Sequence, residues 1–173
     1  MPRMTRKLAW WLLMVWLCSG VAACREPQED TVGAGLTGID HLADHLSVQE
    51  FSVDGHSGFQ AGKGGSMVCC VSLPRQWHPG MSVMVRWNVT NWRDCHGEEF
   101  ERRVPVERYD RVGTLWVHFL ADGSVRVVSS NADPGAADYP GPSDSIPQKF
   151  PWANREWVAR CLGEQKAKEI FND

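Results

Sequence analysis

The 173-residue sequence carries none of the compact signatures that mark a catalytic centre. It has no Gly-x-Ser-x-Gly elbow to expose a nucleophile, no His-Glu-x-x-His pair to hold zinc, and no glycine pattern of a dinucleotide-binding turn. The glycine-rich stretch Gly55–Gly65 lacks the Lys-Ser/Thr pair of a phosphate loop. It also leads into a strand-like segment rather than a helix start, so a connector is the better reading. Cys-x-x-Cys is absent, and with it the usual spacing of redox and zinc sites. Basic charge is short as well: 18 Lys and Arg face 21 Asp and Glu, which argues against nucleic acid as a partner. No apolar run reaches the roughly 18 residues of a spanning helix. No internal repeat is visible.

What is present begins with an address. Arg3, Arg6 and Lys7 precede the apolar run Leu8 to Leu17, and small residues follow up to Cys24. That order is the basic, apolar and cleavage-zone order of an export signal. Val21-Ala22-Ala23-Cys24 resembles a bacterial lipobox, an aliphatic and two small residues before the cysteine that takes a diacylglyceryl group. The alternative is an ordinary secretory signal cut after Ala23. The resemblance implies a signal over residues 1–23 and an acylated Cys24, that lipid being the only cofactor expected. Arg25 in place of the retention Asp implies the outer membrane, facing the periplasm. The processed chain keeps 15 Lys and Arg against 21 Asp and Glu, a formal charge of −6.

Residues 24–38 are polar and glycine-containing without hydrophobic periodicity, and are expected to be a flexible tether. Residues 39–173 are then one globular domain. Strands are predicted over Leu46–Val53, ending in the turn Asp54-Gly55, and over Met67–Leu73, Met81–Val89, Thr114–Leu120 and Val125–Ser129. Val83, Val85, Trp87 and Val89 alternate with Met84, Arg86 and Asn88, the pattern of a sheet with one buried face. Leu115, Val117 and Phe119 oppose Trp116, His118 and Leu120 in the same way. Five prolines within 131–151 predict a long ordered loop, and Asn154–Phe171 a terminal helix. The fold class expected is mainly β, or α+β: a single antiparallel sheet or sandwich with a C-terminal helix, stapled by disulfides.

Four cysteines remain beyond Cys24: Cys69, Cys70, Cys95 and Cys161. In an oxidising compartment they suggest two disulfides. A regular strand would point Cys69 and Cys70 to opposite faces, so each is expected to reach separately to Cys95 or Cys161. A redox-active bond between the adjacent pair and a zinc site are the less favoured alternatives.

Candidate chemistry is thin. His41 and His45 share the i,i+4 spacing that puts two ligands on one helix face, but no third ligand is near, and no metal is expected. Asp94 to Glu99 gathers acids around His96, a minor enzyme alternative. The six tryptophans beyond the expected signal, Trp77, Trp87, Trp92, Trp116, Trp152 and Trp157, are expected to be mostly core, with some exposed for protein recognition. The two loops, Gly55–Gly65 and 131–151, are the expected binding surface, with His56, Phe59, Lys63 and Tyr139 as candidate contacts.

Gly64-Gly-Ser-Met-Val-Cys-Cys-Val-Ser-Leu-Pro-Arg-Gln-Trp-His-Pro-Gly-Met-Ser-Val-Met-Val-Arg-Trp87 resembles the DUF3304 family of proteobacterial lipoproteins. Phe51-Ser-Val-Asp-Gly55, Trp92-Arg-Asp-Cys95 and Leu115-Trp-Val-His-Phe-Leu-Ala-Asp-Gly-Ser-Val-Arg126 fit the same pattern. Members of that kind are associated with type VI secretion phospholipase effectors. The resemblance therefore implies a non-enzymatic immunity protein whose partner is a secreted phospholipase. The other reading is an envelope lipoprotein with a structural or binding role unrelated to toxin immunity.

Overall fold

The computed structural model describes residues 30–64 and 66–172. The expected signal and Cys24 lie outside them. Nine strands form two curled sheets: β1 Thr31–Asp40, β2 Leu46–Ser47, β3 Phe51–Val53, β4 His56–Phe59, β5 Val68–Pro74, β6 Ser82–Asn91, β7 His96–Pro105, β8 Thr114–Phe119 and β9 Val125–Ser130. A 3-10 turn over Pro151–Ala153 leads into two short helices, α1 Arg155–Leu162 and α2 Glu164–Phe171.

The first sheet runs β5-β1-β8-β9. Residues 31–38, expected as tether, are instead most of β1, an inner strand between β5 and β8. Their glycines hid this. In β1, Ala34 and Leu36 are buried, while Gly33 and Gly35 alternate with them and lie under Cys70 and Met67. The expected mainly β, α+β architecture is observed, its strands pairing antiparallel except for β1 and β8, which pair in parallel, Leu36 opposite Leu115 and Gly38 opposite Val117.

The second sheet is built on β6, which pairs along its whole length with β7 and on its other edge with β2 and β3. The predicted alternation of β6 is observed, with Val83, Val85 and Trp87 buried and Arg86 exposed. Asp54 and Gly55 both take positive φ, 47° and 83°, the conformation a tight hairpin turn requires, and β3 pairs with β4 across them. The strand expected over Leu46–Val53 is therefore two short pieces, and part of the Gly55–Gly65 connector is β4. The sheets enclose one core that includes Leu36, Val71, Val85, Leu115, Val117 and Phe119.

A single helix over Asn154–Phe171 is not what forms. Gly163, at φ 90°, ends α1 and starts α2. Asn154 caps α1 by accepting a hydrogen bond from Trp157 N at 3.1 Å. The helices pack Val158 and Ala167 against Trp92 near the tip of the β6–β7 hairpin, where Cys95 and Cys161 are bonded.

The other disulfide corrects the expected pairing: Cys69 and Cys70 are bonded to each other. The regular alternation on which the sequence argument rested is interrupted there. Ala34 faces Val71 and Leu36 faces Val68, so two cysteines stand opposite the single residue Gly35 in a bulge of β5.

Candidate functional site

Two polar constructions pin the 131–151 segment onto the sheets, and a cleft opens beside one of them. Asp40 ends β1 with its carboxylate turned inward, where Oδ1 accepts Leu42 N at 2.9 Å and Oδ2 accepts Val48 N at 3.3 Å. The Lys149 ammonium enters this turn from the far segment. It donates to Asp40 Oδ1 at 2.8 Å and to the carbonyls of Leu42, Ala43 and Leu46 at 2.8, 3.1 and 2.8 Å. Burial pushes the Lys149 ammonium below its ordinary range, and the Asp40 hydrogen bond and charge oppose the shift.

The second construction is a chain of rings. His41 Nε2 and His118 Nδ1 share a proton at 3.0 Å, and His118 Nε2 bonds the Tyr139 hydroxyl. His118 is fully buried. Burial, then the neighbouring His41 and Arg126, push its imidazole down to about 3. His41 is also lowered by burial, against the opposing pull of Asp144 and Asp40, and its Nδ1 is buried without a well-formed hydrogen bond. Burial raises the Tyr139 phenol, which keeps it a neutral hydroxyl. His41 and His45 are thus not paired on a helix face. Among the described residues no group of three or more His, Cys, Asp or Glu is placed to hold a metal ion.

The cleft has a volume of about 230 Å³. One wall is Gln60 to Gly64 and Ser66, the other runs from Pro147 to Trp152, and Asp40 and Lys149 lie between them. The two loops expected as a binding surface therefore meet. Lys63 sits over the Phe150 ring, Nζ 4.3 Å from its centroid, and Phe150 meets Trp152 edge to face at 5.8 Å. Lys63 makes no ion pair among the described residues. Phe150 is 52% exposed, and Phe59 and Met67, just outside the lined segment, are 63% and 58% exposed.

Of the candidate contacts, Lys63 lines the cleft and Phe59 borders it. His56 is exposed on the β3–β4 hairpin outside the lining, and Tyr139 is half-buried with its hydroxyl committed to His118. None of the six tryptophans belongs to the exposed large hydrophobic residues; Trp87, Trp92 and Trp116 are buried and the others half-buried. The aromatics among the exposed large hydrophobic residues are Phe59, a candidate contact from the sequence, and Phe150, which the sequence pattern did not single out. Lys149 and Asp40 were missed too, and five prolines around an isolated lysine gave no periodic signal to reveal them. His96 stands exposed on β7, 3.5 Å from Glu98, and the neighbouring Cys95 is consumed by its bond to Cys161. A wider groove of about 590 Å³ crosses β3, β6 and β7, and in it Arg86 pairs with Glu101 at 2.8 Å.

Residues 43–127 match the family model described as Protein of unknown function (DUF3304). Over that stretch the chain is similar to this family. No curated protein and no solved structure matches the chain. The matched region runs from the turn around Lys149 into β9 and supplies the Lys63 wall of the cleft. Strand β1, Tyr139, the Phe150 wall and both helices lie beyond it.

Proposed function

We propose that the chain is a lipid-anchored envelope protein that works by holding another protein, and that this partner is a type VI secretion phospholipase effector to which it confers immunity. The observation that carries the binding role is the meeting of the two loops, which sets the apolar Phe150 and the Lys63 cation together beside the cleft. Aromatic side chains are enriched at the centres of protein interfaces, and an exposed one beside a cleft is a ready anchor. Likeness of residues 64–87 to lipoproteins associated with such effectors supports the identity of the partner. An acyl anchor on Cys24 would hold the inhibitor at the membrane the enzyme attacks, raising its effective concentration there. Inhibition requires only that the enzyme's lipid entrance be covered.

The test is to capture partners with the acylated protein, identify a co-purified phospholipase, and titrate its activity with the mature chain. Inhibition at one equivalent is expected. Lys63→Glu combined with Phe150→Ala should weaken binding roughly 10- to 100-fold, about 1.4–2.8 kcal/mol, while His56→Ala changes it little. Cells expressing the enzyme in the periplasm and left unprotected by this protein would remove the immunity reading.

A further inference from the structure

The two disulfides have different physical reasons to exist. Cys95–Cys161 joins positions 66 residues apart and ties α1 to the β6–β7 hairpin. Cys69–Cys70 joins neighbours, so it closes no loop of chain and cannot stabilise the fold by restricting the unfolded ensemble. Nor does it bridge two elements. Strand β5 is docked by other means: Val71 and Leu73 are each 1% exposed, and β5 pairs with β1 on both sides of the bulge. A bond that contributes so little to the architecture is nevertheless set on the surface, with Cys69 exposed and Cys70 half-buried. The main chain beneath it is cleared of side chains. A carbon added at Gly33 would meet Cys70 Cβ at 3.3 Å, and one at Gly35 would meet the sulfur of exposed Met67 at 2.5 Å.

We infer that Cys69–Cys70 is a thiol–disulfide exchange site for dithiols, set on an edge strand whose docking does not depend on it. A thiolate of the incoming dithiol attacks Sγ of Cys69, the more accessible of the two. The Cys69–Cys70 bond breaks and Cys70 leaves as a thiolate. The second thiolate of the reagent then attacks the reagent's own sulfur in the mixed disulfide, closing the reagent to a disulfide and releasing Cys69. The protein gains two electrons and the reagent loses two, and the two thiol protons of the reagent end on Cys69 and Cys70. Oxidised dithiol drives the same steps in reverse. Because the core contacts of β5 do not involve sulfur, both redox forms keep the fold.

The test uses dithiothreitol as the dithiol, on the whole exported chain at neutral pH. Samples equilibrated at graded ratios of reduced to oxidised reagent are alkylated and mapped by mass spectrometry, with near-ultraviolet circular dichroism read in parallel. Cys69 and Cys70 should be alkylated at ratios at least tenfold lower than Cys95 and Cys161, without loss of the aromatic signal, and should reoxidise when the ratio is reversed. Reduction of both bonds together, prior reduction of Cys95–Cys161, or a non-reduced peptide linking Cys69 or Cys70 to either distant cysteine would overturn the inference. A second variant, Cys70→Ala, should leave a Cys69 thiol that reacts with one equivalent of an aromatic disulfide in the native protein. A Cys69 that reacts only after unfolding would equally reject it.

Discussion

Lys149 and Asp40 are 5% and 2% exposed at their side chains, so their charges have been removed from nearly all water. Such a pair adds little net stability when intact, because desolvation offsets the attraction, but removing one partner strands the other. Lys149→Met is therefore expected to lower stability by about 3–5 kcal/mol in urea unfolding. Adding Asp40→Asn should recover part of the loss, since the uncompensated carboxylate is gone. A double variant no more stable than the single one would show that the contact is not electrostatic. His118 makes a different prediction. Its pKa falls from 6.5 to about 3 on folding, so between those values the unfolded chain binds the proton that the folded chain refuses. The stability contributed by the neutral ring is thus complete above pH 6.5 and declines as pH drops toward 3. By pH 5 the loss is about 2 kcal/mol, and His41, lowered in the same direction, adds to it. His118→Phe should flatten the slope of stability against pH between 7 and 5; an unchanged slope would place the titration elsewhere.

At the level of elements, the Cys95–Cys161 bond should be local in effect although its loop is long. The chain-entropy argument gives about 4 kcal/mol for a loop of this size. Replacing both cysteines with serine should release α1 and α2 from Trp92 first, seen as lost helical circular dichroism and faster amide exchange there, with β8 exchange nearly unchanged. Simultaneous loss of both would mean the helices belong to the global unfolding unit. The elements differ in how far the sequence betrayed them, and the reasons are physical. Strand β6 has one wet and one dry face, so its alternation was readable. In β8 one face was read correctly, but Trp116 and His118 opposite are buried too, because the 131–151 segment packs on them through Tyr139. Strand β7 went unseen because it is a charged edge ribbon, with Val104 its only buried residue. Strand β1 went unseen because its glycines, which make room for Phe51, Ala61 and Met67, read as linker punctuation. The two loops could be proposed as a surface from composition; that they converge on Lys63 and Phe150 depends on contacts 87 residues apart, beyond any local pattern.

Across the whole molecule, the stretch similar to DUF3304 and the folded unit do not coincide. The match covers residues 43–127, yet the strand between β5 and β8 comes from 31–40. With β1 removed, β5 and β8 have no ladder between them, and the places of Leu36, at 1% exposure, and Ile39, at 0%, are left empty. Each lost aliphatic side chain costs about 2–5 kcal/mol, against a total of about 5–15 kcal/mol for an ordinary domain, and the lost backbone pairing adds to that. A chain cut to residues 43–127 is therefore expected to lack a cooperative unfolding transition and a dispersed amide spectrum, whereas residues 30–172 should show both. Extending the short chain back to residue 30 alone should restore much of the dispersion, because β1 contributes to the main core while the helices form a separate cluster around Trp92. If residues 43–127 folded cooperatively by themselves, β1 would be an accessory to the core rather than a part it requires. The place of β1 also bears on anchoring: with Cys24 acylated, only six residues separate the lipid from Thr31, a reach of at most about 25 Å. The strand that completes the core would then also be the one that carries load from the membrane.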